Sequence, residues 1–458
     1  MDEEQSVGMT GSVERPRAQI TRQGRILMVL CLAVLMVQVD TSVVNLGVHA
    51  IGVALKAPMS TLQWTVDAYN LAYALLLMSG GTLADILGRR RIFRWGIGVF
   101  TLGSLVCGLA PNAMVLILGR VVAGTGAALL LPSTLAMIRV IWPDPRQRAH
   151  AIGIWAGTNG AAFAIGPTLG GFLISLAGWR SIFLVVIPLG LLAAWMARVL
   201  PESADPAGRR LDFSGQLLVG LGLGGLTLAL IERGELAVWS AALGGLCLAG
   251  FLWVERRAGE TAMMPLTLLG NRALIGAMGV AAAMTFGMYG VVFLLPLAWL
   301  QSGALSVTWA GIALLPMSLV FFALSHKSGA WSHRLGARPL MTAGMALIGA
   351  GVAILSCTQA GRPLWLAETG LLLTGLGMAL NTGPVLAAAV AAVAPARSGT
   401  ASALANTARM VGATFGVAVL GAVYDTVGAG AFGFSLAMRI GAGVVFIGAL
   451  LASMSTPA

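Results

Sequence analysis

Fourteen runs of mostly apolar residues, each long enough to cross a bilayer as a helix, follow one another along the chain. A spanning helix needs about 20 such residues. Hydrophobic residues make up 58% of the 458 positions and charged residues only 10%, so a water-soluble fold would lack polar side chains for its surface. The sequence therefore predicts an all-α polytopic membrane protein with spans at residues 26–47, 62–83, 95–112, 114–138, 150–176, 181–199, 214–231, 238–254, 273–300, 309–326, 339–358, 364–393, 399–421 and 436–454.

The runs fall into groups of six, two and six, which predicts four parts. Four arginines precede the first run, and that run is longer than the apolar core of a cleavable signal peptide, which favours a retained cytoplasmic tail. The predicted parts are the tail at 1–25, an N-terminal six-helix bundle at 26–200, a central linker with two extra transmembrane helices at 201–260, and a C-terminal six-helix bundle at 261–458.

The distribution of basic residues predicts the orientation. Of 28 Lys and Arg residues, only five fall on the side away from the termini, and Arg120 and Arg409 lie within helices. The rest lie in tails, loops and helix ends on the side of the termini, which the positive-inside rule places in the cytoplasm. The same distribution accounts for the formal charge of +11 without a nucleic-acid partner. The five residues on the other side are Lys56, Arg180, Arg233, Arg362 and Arg439.

The residues that usually carry enzymatic chemistry are scarce. The four histidines are not paired at ligand spacing, and the four cysteines are scattered through apolar runs. The sequence contains no P-loop and no Ser/His/Asp arrangement. We therefore expect no enzymatic activity, no metal site and no cofactor, and an energy source in an ion gradient or in the substrate itself.

A short pattern recurs after the second span and after the tenth. Both loops have a glycine, a polar residue, a glycine and an arginine at the same spacing, at the equivalent point of each six-helix group. Repeated halves are typical of secondary transporters, which bind substrate between the halves at mid-depth. The recurring residues are Gly81, Asp85, Gly88 and Arg90 in the first loop, and Gly329, His333, Gly336 and Arg338 in the second.

At these residues the sequence resembles the major facilitator superfamily, whose loop between helices 2 and 3 follows the pattern G-x-L-x-D-x-x-G-R-R/K. The chain matches it at Gly81, Leu83, Asp85, Gly88, Arg89 and Arg90. Three further stretches are similar to the fourteen-helix drug:proton antiporter branch of that family. They are Asp40 to Asn45 in helix 1, Arg120 to Ala128 in helix 4, and Gly166, Pro167, Gly170 and Gly171 in helix 5.

Three ionisable residues within spans fall at a similar depth, if each residue advances a helix by about 1.5 Å. They are Asp40 in helix 1, Asp67 in helix 2 and Arg120 in helix 4. Buried charges are costly in a membrane and mark functional sites. A carboxylic acid whose distance from Arg120 changes during transport would bind and release a proton. A fixed salt bridge between helices is the alternative for either acid, and the resemblance favours Asp40 as the functional one.

Other residues are assigned to the substrate cavity and to the gate. Arg409 lies near mid-depth in helix 13, either as a ligand for a polar or anionic substrate or paired with carbonyls or an acid, and we place Asn45 and Asn406 in the same cavity. By resemblance, Asp85 would close the cytoplasmic gate by contacting the N-terminus of helix 13 near Ser398. The glycines and proline of the helix 5 pattern would act through bending and close packing.

The resemblance implies proton-coupled export of small amphipathic or cationic compounds by alternating access, as in multidrug resistance. A dedicated exporter of one endogenous metabolite, antibiotic or siderophore, uptake driven by protons, and a non-transporting membrane sensor are alternatives. The expected partners are the substrate, protons and the lipid bilayer. We expect a multi-pass monomer in the bacterial cytoplasmic (inner) membrane, with periplasmic adaptor proteins as optional partners.

Overall fold

The computed structural model describes residues 15–205, 212–259, 264, 266–358, 363–394 and 397–455. Within these ranges the chain is helical and contains no strand. Fourteen long helices follow one another, two of them in two segments. They are α1 Arg15–Leu55, α2 Met59–Leu87, α3 Arg89–Gly108, α4 Ala113–Ile141, α5 Pro145–Ala177, α6 Ser181–Leu184 with Val186–Met196, α7 Phe213–Ile231, α8 Glu235–Ala258, α9 Arg272–Gln301, α10 Val307–Ala313 with Leu315–Leu335, α11 Ala337–Leu355, α12 Leu364–Ala391, α13 Ser398–Thr426 and α14 Ala431–Ser455.

The predicted fourteen-helix fold is confirmed. In the described part of the chain, 13 helices are long and apolar enough to cross a membrane by length and composition. The remaining helix is α3, which begins with Arg89, Arg90 and Arg91 and becomes apolar only after Trp95. Because α3 packs along the full-length spans α2 and α4, it crosses with them. Helix α1 begins at Arg15, well before the span predicted from residue 26.

The helix pairing repeats between the two groups of six. Helix α3 packs on α4 and α2 on α4, and in the second group α11 packs on α12 and α10 on α12. Gly88 before α3 and Gly336 before α11 both have positive φ, at 102° and 86°. Such a backbone is accessible to glycine at little cost. The sequence repeat is therefore also a structural repeat.

The two extra helices α7 and α8 pack on each other and lie beside the junction of the two groups. The Gln216 side chain donates to the Leu75 carbonyl of α2 at 2.7 Å. At the other end of α7, Arg233 forms an ion pair with Asp425 at the end of α13. Large apolar side chains of α7 and α8, such as Trp239 and Leu246, remain exposed. The pair therefore contacts both groups on one side and presents a lipid-facing surface on the other.

Because successive helices alternate in direction, the start of α1 and the end of α14 lie on one face of the helix array. We name this the terminal face and the other the opposite face. The closest packing between the groups lies toward the opposite face. The Gln63 amide of α2 donates to the Val417 and Ala418 carbonyls of α13 at 3.1 and 2.8 Å. Toward the terminal face, the space beside Gly153 and Gly157 of α5 is open, because a Cβ on either residue would have no atom within 4 Å. At the opposite face the two groups are in direct contact.

Candidate functional site

A fully buried ion pair joins α1 to α4. The Arg120 Nη1 donates to the Asp40 Oδ2 at 2.6 Å, and the two side chains are only 2% and 1% exposed. The structure therefore brings together the acid and the arginine that were predicted to lie at one depth. Separating them would leave an uncompensated charge in the protein interior, which is strongly destabilising.

Arg120 has further partners besides Asp40. Its Nε donates to the Thr65 carbonyl of α2 at 2.9 Å, and its guanidinium lies 4.3 Å from the centre of the Tyr69 ring. A cation over an aromatic face is attracted by the ring quadrupole. The arginine can therefore remain bound in place if Asp40 becomes neutral, because α2 continues to hold it.

Asp40 uses less of its hydrogen-bonding capacity than Arg120 does. Its Oδ1 is buried and has no hydrogen-bond partner among the described residues. The next residue, Thr41, links the acid's helix to α2, because its hydroxyl donates to the Val37 carbonyl and lies 3.3 Å from the Tyr69 hydroxyl. The vacant acceptor on Asp40 is the chemical position at which a proton could be added without breaking a hydrogen bond.

Asp67 does not share this site, although sequence depth placed it level with Arg120. The Tyr69 ring faces Arg120, and a residue two positions away along an α-helix lies on nearly the opposite side. Gln63, one turn before Asp67, hydrogen-bonds to α13, so Asp67 lies on the face of α2 toward α13. It is completely buried, and neither carboxylate oxygen has a hydrogen-bond partner among the described residues.

The seam between α2 and α13 contains other unsatisfied polar groups near Asp67. Both amide atoms of Asn70 and the hydroxyl of Thr414 are buried without a hydrogen-bond partner in the described part of the chain. Because the two helices are antiparallel and Gln63 contacts Ala418, Thr414 falls near the level of Asp67. Burying polar groups without hydrogen bonds is unfavourable, so this seam is a costly feature of the fold.

Arg409 faces the space between the two groups. It lies on α13, its Nη1 donates to the Asn406 Oδ1 at 3.4 Å, and its buried Nε has no partner among the described residues. Arg409 is close enough to interact electrostatically with the hydroxyl groups of Tyr73 on α2 and Tyr289 on α9. A cation with a spare donor can bind an anionic or polar group of a small molecule.

The predicted cavity residues are only partly grouped. The structure pairs Asn406 with Arg409, whereas the Asn45 amide donates to the Thr41 carbonyl of its own helix and its oxygen is buried.

A contact that the sequence did not indicate joins α1 to α5, where the Gln38 amide donates to the Asn159 Oδ1 at 2.6 Å. Matching the depths of polar residues on α1 and α5 could have suggested it.

The loop between α2 and α3 is covered by the chain that follows α6. The Asp85 carboxylate accepts from Arg89 at 2.8 Å, and the Asp85 carbonyl accepts from the Asp205 amide at the same distance. The Arg89 amide donates to the Ser203 carbonyl, and the Arg90 amide donates to the Glu202 carboxylate. No sequence pattern indicates this covering segment. The predicted contact of Asp85 with the start of α13 near Ser398 stays a prediction.

The glycines of this loop have different roles. A Cβ on Gly88 would lie 2.6 Å from the Glu202 Oε1, which leaves no room for a side chain. The positive φ of this residue also favours glycine. A Cβ on Gly81 would make only an ordinary contact with Pro132. The close approach of α2 to α4 occurs instead at Gly80, whose Cβ would overlap the Ala128 carbonyl.

The helix 5 residues lie between α1 and the second group. Gly166 and Gly170 face Ser42 and Val43 of α1, directly after Asp40, and a Cβ on Gly170 would lie 3.0 Å from Val43. A Cβ on Gly171 would lie 2.8 Å from the Val307 carbonyl of α10, and the Pro167 carbonyl lies against Gly311 of α10. The predicted packing positions are thus in close contact with both groups.

Two repeated six-helix groups, polar residues at their junction and an extra helix pair define a polytopic membrane protein of the secondary-transporter class. Among the described residues no cluster of His, Cys, Asp and Glu could hold a metal ion. The model of the Major Facilitator Superfamily matches residues 30–417, and the chain belongs to this family.

Similar proteins carry names of resistance and export. The Multidrug resistance protein Stp of Mycobacterium tuberculosis is 36% identical over 403 residues, covering 86% of this chain and 74% of the relative. The Methylenomycin A resistance protein of Bacillus subtilis is 32% identical over 405 residues, covering 87% of each chain. The solved structure of a bacterial homologue of the human lysosomal transporter Spinster, inward-facing and unoccupied, has a TM-score of 0.69 at 18% identity, covering 95% of this chain and 97% of that one.

Proposed function

We propose that this protein exports small amphipathic or cationic organic compounds in exchange for protons, by alternating access between its two six-helix groups. The observation that carries the proposal is the buried Asp40–Arg120 pair between α1 and α4. Family membership and the relatives named for multidrug and antibiotic resistance support export as the direction. The chain's own residues supply the coupling group, so ATP hydrolysis is not required.

Proton exchange at Asp40 would control how tightly α1 is held to α4. With Asp40 ionised, the pair with Arg120 holds the helices together. A proton on the vacant Oδ1 neutralises the acid and removes the Coulomb attraction, while Thr65 and Tyr69 keep Arg120 in place. Because Ser42 and Val43 lie on the helix 5 glycines, a shift of α1 would be transmitted to α5 and from there to α10.

Arg409 is the residue that we assign to substrate binding. Its unpaired Nε and the Asn406 oxygen beside it suit an amphipathic molecule with an anionic or polar group. The site therefore extends the proposed substrate range beyond cationic compounds.

The gate at the terminal face would be formed by the α2–α3 loop. In the present conformation the closest contacts between the groups lie toward the opposite face. In the reversed conformation, Asp85 would exchange its contact with Arg89 for the N-terminus of α13 near Ser398, where the helix dipole favours an anion.

The setting of the protein follows from its family and its charges. We place the terminal face in the cytoplasm, because it carries most of the basic residues, and the chain in the bacterial cytoplasmic membrane. The protein would act as a monomer, with periplasmic adaptor proteins as optional partners. The protein itself spans the membrane many times.

A second candidate function is export of one endogenous compound, since relatives in two organisms are named for resistance to methylenomycin A. A susceptibility screen in a pump-deficient host, with the chain and an Asp40→Asn variant expressed at equal levels, separates the possibilities. Protection against several unrelated compounds supports the multidrug function, whereas protection against one supports the dedicated exporter. Equal protection by the variant would show that proton coupling at Asp40 is not the mechanism.

A further inference from the structure

Four arginines line one groove on the terminal face of the N-terminal group. Arg22 and Arg25 come from α1, Arg90 from the first turn of α3 and Arg198 from the 3-10 turn Ala197–Val199 that follows α6. Residues 199–201 complete the lining. The groove has a volume of about 480 Å³. It lies at the edge of the group where α3 and α6 pack on each other and α6 packs on α1.

The positive charge in the groove is not compensated by the described part of the chain. None of the four guanidinium groups has a described carboxylate within 4 Å. The Arg90 Nε is buried without a partner, and its Nη2 makes only a 3.3 Å hydrogen bond to the Arg198 carbonyl. The nearby Glu202 Oε1 accepts from the backbone amides of Arg90 and Ser203. Four like charges around one groove repel each other, and an anion between them would relieve this repulsion.

The groove lies at the level where lipid headgroups meet the protein. Arg25 is followed directly by the apolar part of α1, and the exposed Met28 lies one turn further along it. Trp95 on α3 and Trp195 on α6 are 49% and 64% exposed and lie one to two turns from Arg90 and Arg198. Exposed tryptophans next to the basic ends of spanning helices mark the membrane–water interface.

We infer that this groove binds the phosphodiester headgroup of an acidic phospholipid. Arginine presents a fork of donors that matches phosphate oxygens in a bidentate manner, and basic pockets between transmembrane helices bind anionic headgroups. The exposed apolar side chains below the groove would contact the acyl chains, which a free phosphate does not have. This feature distinguishes a membrane lipid from a soluble phosphate as the occupant.

The test is lipid binding by the purified full-length protein in detergent. Native mass spectrometry measures retention of phosphatidylglycerol and of phosphatidylcholine, offered in equal amounts. The variant combines Arg22→Gln with Arg198→Gln, neither of which belongs to the transport site. The matched control combines Arg146→Gln with Arg148→Gln, two arginines at the start of α5 on the same face that do not line the groove.

We expect the wild-type protein and the control to retain phosphatidylglycerol in preference to phosphatidylcholine. The groove variant should bind phosphatidylglycerol about thirtyfold more weakly, since each basic residue near an anionic headgroup contributes to affinity. An unchanged thermal unfolding temperature shows that the groove variant is folded. If the double variant unfolds at a lower temperature than the wild type, the Arg22→Gln single variant replaces it. We expect this single variant to bind phosphatidylglycerol about fivefold more weakly. Equal retention by wild type and groove variant, an equal loss in the control, or no preference over phosphatidylcholine would each overturn the inference. Displacement of the lipid by millimolar inorganic phosphate would show that the groove is a free-phosphate site instead.

Discussion

Gly166 of α5 lies against Ser42 of α1 so closely that a Cβ on the glycine would overlap the serine hydroxyl. Ser42 is two residues from Asp40, so the packing of α5 fixes the position of the helix that carries this acid. The glycine is therefore a structural requirement for the geometry of the Asp40–Arg120 pair.

Replacing Gly166 with alanine should destabilise the protein and reduce transport. The added methyl group must displace α1 from α5, at a cost of about 1–3 kcal/mol. The measurement is thermal unfolding in detergent together with substrate export. Gly153→Ala is the matched control, because its Cβ would have no atom within 4 Å and alanine favours a helix over glycine. Equal behaviour of the two variants would contradict this account of the helix 5 pattern.

Gly88→Ala should impair the α2–α3 loop more than Gly336→Ala impairs the equivalent loop of the second group. Both positions have positive φ and would be strained by a side chain, at roughly 1–3 kcal/mol. Only at position 88 would the methyl group also displace the Glu202 carboxylate, whereas at position 336 it meets Pro339 at 3.6 Å. Transport rates of the two variants, normalised to folded protein, provide the comparison. A larger loss in the Gly336 variant would refute the role of the covering segment.

Arg409→Gln should weaken binding of anionic substrates, because the spare donors of the guanidinium are lost. We expect KM for an anionic compound to rise about tenfold or more, and KM for a neutral compound of similar size to change little. Arg439→Gln on α14 is the control for loss of a positive charge. If anionic and neutral compounds respond alike, Arg409 acts in packing and the cavity assignment is wrong.

The orientation is tested by reporter fusions after residues 25, 235 and 454. We expect the first and third in the cytoplasm and the second outside, because the basic residues are concentrated on the terminal face. Residue 235 begins α8 on the opposite face, so it should never be on the same side as the termini. A cytoplasmic reporter at 235 would invert the proposed direction of export.

Much of the fold follows from the length of the apolar runs in the sequence, and part of the site follows from the depth of charged residues within them. Each span is an apolar run of sufficient length, so the number of helices could be counted. The pairing of Asp40 with Arg120 was suggested by equal depth. Depth does not fix the rotation of a helix, however, and Asp67 lies at a similar level but faces α13. Rotation depends on packing between helices that are distant in sequence.

The covering of the α2–α3 loop could not have been predicted in the same way. Ser203 and Asp205 form backbone hydrogen bonds to Arg89 and Asp85, and backbone bonds carry no side-chain pattern. Helix α1 continues through polar residues before Ile26, outside the span predicted at 26–47. An apolar run predicts the part of a helix within lipid and does not mark where a helix ends in water.

Asp40→Asn should abolish proton-coupled export while leaving substrate binding intact. Asparagine has nearly the volume of aspartate and can still contact Arg120, but it cannot release a proton. Proteoliposomes with an imposed pH gradient and an internal pH-sensitive dye measure the coupling, and binding is measured separately without a gradient.

Arg120→Lys keeps the positive charge but loses the planar fork that reaches both Asp40 and Thr65, so it should reduce the coupled rate.

Asp67→Asn is the decisive comparison for Asp40→Asn, because both remove a completely buried acid from the same depth. Asp67 makes no ion pair with Arg120, and a neutral amide suits the seam with Asn70 and Thr414, so we expect this variant to retain most of its coupled transport. Normal coupling in Asp40→Asn with none in Asp67→Asn would transfer the role to the α2–α13 seam. Normal coupling in both single variants and in the double variant would show that neither acid carries the proton and that the antiport mechanism proposed for this protein is wrong.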